Sequence, residues 1–223
     1  HLTPIGREAF VFFVHKDNPI DSLTVEQIKG IYSGEITNWK EVGGEDVEIV
    51  AFQRNETSGS QNYMTLFMGD TPLMEPITHI TPATMEGLME IVSSYNNALN
   101  AIGYSVYSYA ANMYADAGKV KFIKVNGIAP TPETLGDLSY PLLNYNYAIY
   151  DKNNDIPEIE KLVNWILSDQ GQQAVINGGY VPLKGGTLPE YVNGNKAYQA
   201  IGTGREASKE PQYGGVSTAY IPV

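Results

Sequence analysis

Apolar positions along the chain change period several times, and each change marks an element. The run from Glu8 to His15 is apolar on both faces, which predicts a strand buried within an α/β sheet. Asp17, Asn18 and Pro19 end it. Thr24 with Gln27 three residues on has the spacing of a capping box, so a short helix is expected through Tyr32, stopped by Gly34. Trp39 and a Gly43-Gly44 turn follow, and Val47 to Phe52 is β-branched and aromatic enough for a second strand. Tyr63, Met64, Phe67 and Met68 then repeat at helical spacing.

Thr71-Pro72 and Glu75-Pro76 mark a loop. From Thr84 to Ser94 the stripe Met85, Leu88, Met89, Val92 predicts an amphipathic helix whose methionines pack in the core. Ala101 to Val106 is a short strand leading into a Tyr- and Ala-rich helix that ends near Gly118, and Val120 to Val125 is a further strand. Tyr140 to Leu143, continued by Tyr145, Tyr147 and Ile149, alternates as a strand should. Pro157 to Leu167 predicts a helix ending around Gly171. Strands alternating with helices, without internal repeats, indicate an α/β fold. From residue 186 the composition shifts to Gly, Pro, Asn, Thr and charged residues. An extended tail is expected over 186–223, packed by Tyr191, Tyr198 and Tyr220.

Composition narrows the function. With 43% hydrophobic and 17% charged residues the 223-residue chain is an ordinary globular protein, long enough for one large domain or two small lobes. Its longest apolar run, Ala9 to Val14, falls far short of the ~20 residues of a membrane helix. A formal charge of −11 argues against nucleic acid or an anionic membrane as partner. It equally means that an anionic ligand would have to be captured by short-range donors in a dehydrated cleft. The absence of cysteine removes disulfides, thiolate catalysis and zinc-thiolate sites.

Candidate chemistry concentrates in Arg54 to Met64. Arg54, one of three arginines in the chain, stands just ahead of Ser58-Gly59-Ser60, which opens a helix. Ser58 with Gln61 reads as a capping box, leaving the N–H groups of Gly59, Ser60 and Gln61 at the positive end of the helix dipole. Gly59 lets an anion approach the backbone closely, and Arg54 offers a forked, permanently charged donor. The plainer alternative is a common helix start beside a solvated arginine.

Several separated motifs, in order, carry a resemblance. Thr3 to Val14, Leu23 to Gly34, Thr37-Asn38-Trp39, the Arg54 motif, Asn100 to Tyr104 and Gly178 to Leu183 together resemble the phosphate-binding substrate-binding proteins of ABC transporters. The resemblance implies an α/β, type II periplasmic-binding-protein-like fold with ligand held between two lobes joined by crossing strands. Residues 1–14 and 141–185 would be a remnant of the first lobe, 15–140 a complete second lobe carrying an anion half-site, and 186–223 a C-terminal extension. On that mapping the opening part of the first lobe, with a Ser/Thr-rich anion loop and an acidic residue, would have no counterpart in these residues. Onto matching positions the resemblance carries Arg54, Ser58, Gly59, Ser60 and Gln61 as phosphate ligands, with no metal, no cofactor and no catalysed reaction. It implies an ABC permease as partner and an extracytoplasmic, lipid-anchored or periplasmic setting. With half a cleft, the chain is expected to bind phosphate weakly and to expose an apolar face that a second copy or a missing-lobe partner covers.

Other constellations point elsewhere less well. His1, His15 and His79 are too scattered for a metal site. Ser58 with His79 lacks the Gly-x-Ser-x-Gly elbow of a hydrolase. Glu8 with Asp151, and Glu45 with Asp46, read as solvated charges, and Arg7 as a surface arginine near the lobe crossing. The main rival function is a receptor-like domain serving sensing, adhesion or assembly without transport.

Overall fold

The computed structural model describes residues 1–76, 82–94, 98–112 and 117–186. Its organising element is a single long strand, β1 (Leu2–His15). The first half pairs antiparallel with β7 (Leu143–Ile149), from Leu2 opposite Ile149 to Ala9 opposite Leu143. From Phe10 onward it enters a second set of partners, β4 (Ala101–Val106) on one side and β5 (Val120–Phe122) on the other. β3 (Val50–Ala51) adds parallel to β4, giving the order β3-β4-β1-β5. The strand is nearly twice as long as its apolar run suggests, because backbone pairing to β7 carries it through a stretch whose side chains are half exposed.

The core lies where β1 is buried on both faces: Ala9 to Val14 are all fully buried. Phe10, Phe12, Tyr32 and Tyr104 meet there in tilted and edge-on ring contacts, the geometries favoured by aromatic quadrupoles. α1 (Val25–Ser33) has both halves of its Thr24–Gln27 capping box, and Gly34 closes it with a left-handed φ of 83°. α3 (Met85–Ser94) buries Leu88, Met89 and Val92.

Three elements depart from the sequence pattern. The Val47–Phe52 strand shrinks to β3, because Val47 O and Ile49 N bond back to Trp39 N and Thr37 O before Phe52 N reaches Ile102 O. The Val120–Val125 strand changes partner after Ile123, whose N–H still goes to Phe12 O on β1, because Lys124 N bonds to Asp21 O instead. Beyond Ile123, β6 (Lys124–Val125) pairs in parallel with β2 (Ser22–Leu23). The helix expected to end around Gly171 is two: α6 (Pro157–Leu167) stops at Ser168, whose side chain caps α7 (Asp169–Asn177). Gly171 lies in the first turn of α7, where an added Cβ would come within 2.1 Å of Trp165 O. α5 (Pro132–Gly136), with Thr131 as cap and Pro132 at its start, was not legible in the periodicity. α4 (Tyr107–Asn112) follows β4 directly, and its predicted continuation toward Gly118 runs outside the described residues, as does the 187–223 tail.

Candidate functional site

β3 delivers the chain to the end of the sheet, where Phe52, Gln53 and Arg54 are buried. A turn then reverses it, with Ser58 N bonded to Asn55 O at 3.0 Å, and α2 (Gly59–Met68) begins. Ser58 caps α2 by accepting from Gln61 N at 3.1 Å. The other half of the expected capping box is not formed. The Gln61 side chain turns inward instead, its Oε1 accepting from Arg54 N at 3.1 Å and from the Tyr104 hydroxyl. With its own N–H on Ser58, Gln61 presents neither group outward. The first-turn amides of Gly59 and Ser60 have no acceptor among the described residues, as the start of a helix dictates.

Arg54 is buried, with 7% of its surface exposed, so the solvated alternative does not hold. Nε donates to Pro82 O and Nη2 to Ala83 O, both at 3.0 Å, and Nη1 donates to Ser60 Oγ at 3.1 Å. Two successive carbonyls ahead of α3 therefore occupy the Nε–Nη2 edge. One N–H on Nη1 and one on Nη2 remain, so bidentate recognition of an anion is restricted to the end-on edge. No carboxylate faces the guanidinium among the described residues, and burial lowers its pKa from the ordinary arginine value.

Ser60 is buried, and because its Oγ accepts from Arg54 its own O–H is directed elsewhere. Ser58 Oγ lies 3.5 Å from Ser60 Oγ. A Cβ placed on Gly59 would meet no heavy atom within 4 Å, so this flank of the helix start is open. The arrangement brings a buried cation, two hydroxyls and two helix N-terminal amides together, which chemically is a set of donors for an oxyanion. In the same turn Asn55 Oδ1 is buried without a hydrogen-bond partner among the described residues, a feature nothing in the residue pattern announced.

Elsewhere the structure corrects the surface readings. Glu8 is 4% exposed and not a solvated charge. It lies where β1 passes from β7 to β4 and accepts from Ala9 N at 3.0 Å, Ser108 N at 3.2 Å and the Ser108 hydroxyl. Burial pushes its pKa up to about 7 against the pull of those donors. Tyr63 is pushed up to about 12 by burial and then by the Glu8 charge, and Tyr180 is raised for the same two reasons. Arg7 is not free in solvent. It stacks 5.0 Å from the Tyr145 ring and donates to Pro182 O and the Tyr145 hydroxyl, each at 3.3 Å. Among the described residues no three His, Asp or Glu converge for a metal, and no helix is long and apolar enough to cross a membrane. His79 lies outside the described residues.

Residues 1–170 match the family model described as a PBP superfamily domain. The phosphate-binding protein PstS of Pseudomonas aeruginosa is 30% identical over 201 residues, covering 81% of this chain and 59% of the relative. That of Bacillus subtilis is 24% identical over 185 residues, covering 82% and 58%. The chain thus spans somewhat less than two thirds of the length of these relatives. Among solved structures, a candidate phosphate ABC transporter substrate-binding protein with bound phosphate from Clostridium perfringens superposes with a TM-score of 0.66 at 31% identity, covering 82% of this chain and 72% of the other. An ABC-type phosphate transport receptor from Vibrio cholerae gives 0.64 at 24% identity, covering 81% and 72%, and speaks to the fold alone.

Proposed function

The chain belongs to the PBP superfamily, and from that footing we propose that it binds inorganic phosphate as part of an extracytoplasmic substrate-binding protein serving an ABC importer. It binds its ligand and does not convert it. One observation carries the reading: the Arg54 guanidinium is buried beside the start of α2 with donors to spare and no carboxylate opposite it among the described residues. A buried charge without a counter-ion is costly, and an anion at the Gly59 and Ser60 amides would complete it. The names of the relatives supply the choice of phosphate among oxyanions.

In this reading Arg54, Ser58, Gly59 and Ser60 contact the ligand, while Gln61 supports them from behind. β1 and β7 would form the crossing ribbon, residues 15–140 one lobe, and 1–14 with 141–185 part of the other. Tyr145, Tyr147 and Ile149 on one face of β7, with Leu162 and Trp165 on α6, are exposed. This apolar surface suits the remainder of the first lobe or, where that is absent, a second copy.

The experiment is a phosphate titration by calorimetry of a two-lobed receptor carrying this sequence and its Arg54→Ala and Arg54→Lys variants. Alanine is expected to weaken binding by about 2 to 5 kcal/mol, the cost of removing one partner of a desolvated charged contact. Lysine should recover only part, because one ammonium cannot hold the Pro82 and Ala83 carbonyls and still present a fork. Affinities equal within error across the three would remove Arg54 from the site.

A further inference from the structure

Arg54 is held from two directions. Its guanidinium rests on Pro82 O, Ala83 O and Ser60 Oγ, whereas its backbone N–H is shared by the Tyr104 hydroxyl at 2.9 Å and Gln61 Oε1 at 3.1 Å. The Tyr104 hydroxyl donates in turn to Gln61 Oε1, closing a buried polar triangle. Both supports are immobilised from behind. Tyr104 lies on β4 opposite Phe12, fully buried, its ring packed against Phe10, Phe12 and Tyr32. Gln61 is fixed in the first turn of α2 by the bond from its N–H to Ser58 Oγ.

We propose that Tyr104 and Gln61 are positioning residues for the anion site: neither touches the ligand, and together they set the Arg54 backbone so that its remaining N–H groups converge with the Gly59 and Ser60 amides. The inference rests on the phosphate reading of this site. Arg54 follows a strand of only two residues, so its Cα has little sheet pairing to locate it. The triangle ties it to the central sheet and to α2 at once. Positional errors of about an ångström in such a donor set degrade recognition severely. The phenol is suited to a permanent role, since burial raises its pKa well above the ordinary tyrosine value and keeps the proton on the phenol oxygen, which donates it to Gln61 Oε1.

The test uses the 223-residue chain with inorganic phosphate as probe, read by NMR. Tyr104→Phe removes the hydroxyl alone, Gln61→Met removes the acceptor at similar volume, and Arg54→Ala serves as reference. Each of the first two is expected to weaken phosphate binding at least five-fold. The double variant should be no more than about two-fold worse than the weaker single, because both act through the same N–H. The Arg54 Nε–H resonance should move in each, while the Trp39 Nε1–H resonance, bonded to Asn100 O, stays in place and reports an intact fold. Unchanged affinity in both variants, with Arg54→Ala abolishing binding, overturns the positioning role and leaves the site standing. Fully additive losses overturn it as well. If Arg54→Ala also leaves binding unchanged, the phosphate reading itself falls. Should Tyr104→Phe shift the Trp39 signal, Gln61→Met decides alone.

Discussion

At the scale of residues, the distinction that matters is between side chains that hold the chain and side chains left to face a ligand. Gly59 belongs to the second group. No Cβ contact and no left-handed φ require glycine there, so Gly59→Ala should leave stability unchanged or raised by up to about 1 kcal/mol through helix propensity. The same variant should lose phosphate affinity if an anion approaches that flank, which calorimetry on a two-lobed receptor checks. Retained affinity would place the ligand elsewhere. Glu8 belongs to the first group, and its titration has a definite sign. Its folded pKa of about 7 lies above the ordinary 4.5, so the folded chain keeps the proton where the unfolded chain has lost it. The contribution to stability is full below pH 4.5 and is lost as pH rises to 7, amounting to about 3 kcal/mol. Glu8→Gln keeps an acceptor for Ala9 N and Ser108 N and removes the titration. Urea unfolding from pH 4 to 8 should show the variant gaining on the wild type as pH rises, whereas parallel curves would contradict the burial account. The Arg54-Ser58-Gly59-Ser60 cluster was legible in sequence, because cap chemistry and a helix start are local. The inward turn of Gln61 and the burial of Glu8 were not, since each depends on a residue at least 40 positions away, Tyr104 and Ser108 respectively.

At the scale of elements, the sequence reads well where a start or stop signal adjoins a periodic apolar stripe, whereas the capped starts of α5 at Thr131 and α7 at Ser168 escaped it. α1 follows Thr24, Gln27 and Gly34, and α6 follows Pro157. Boundaries set by tertiary pairing were missed: after Ile123 the chain leaves β1, with Lys124 N bonding to Asp21 O, and Val47 and Ile49 bond to the Thr37–Trp39 segment before the sheet is reached. The α6–α7 junction shows the same principle through a glycine. Periodicity treats Gly171 as a helix stop, yet it serves close approach, because the C-terminal turn of α6 occupies the space a side chain would need. Gly171→Ala should therefore destabilise the chain by about 3 kcal/mol, at the top of the range for overpacking, despite a better helix propensity. A denaturation midpoint equal to or above wild type would show that the junction relaxes without cost.

At the scale of the whole molecule, charge and architecture set the expected affinity. The chain carries a formal charge of −11, so the long-range field repels an anion and the α2 donors must act at short range. Cleft receptors strengthen such donors by closing a second set over the ligand and excluding water. Here the proposed site presents donors from one side, and the apolar face of β7 and α6 is exposed. The most direct measurement is a phosphate titration of the 223-residue chain, shown to be monomeric by sedimentation, following the Gly59 and Ser60 amides and Arg54 Nε–H by NMR. Those three signals are expected to move together and to saturate with a Kd in the millimolar range or weaker, at least about three orders of magnitude above a two-lobed receptor. Micromolar or tighter binding by the monomer, or saturating shifts that bypass Arg54, Gly59 and Ser60, would contradict the half-site account.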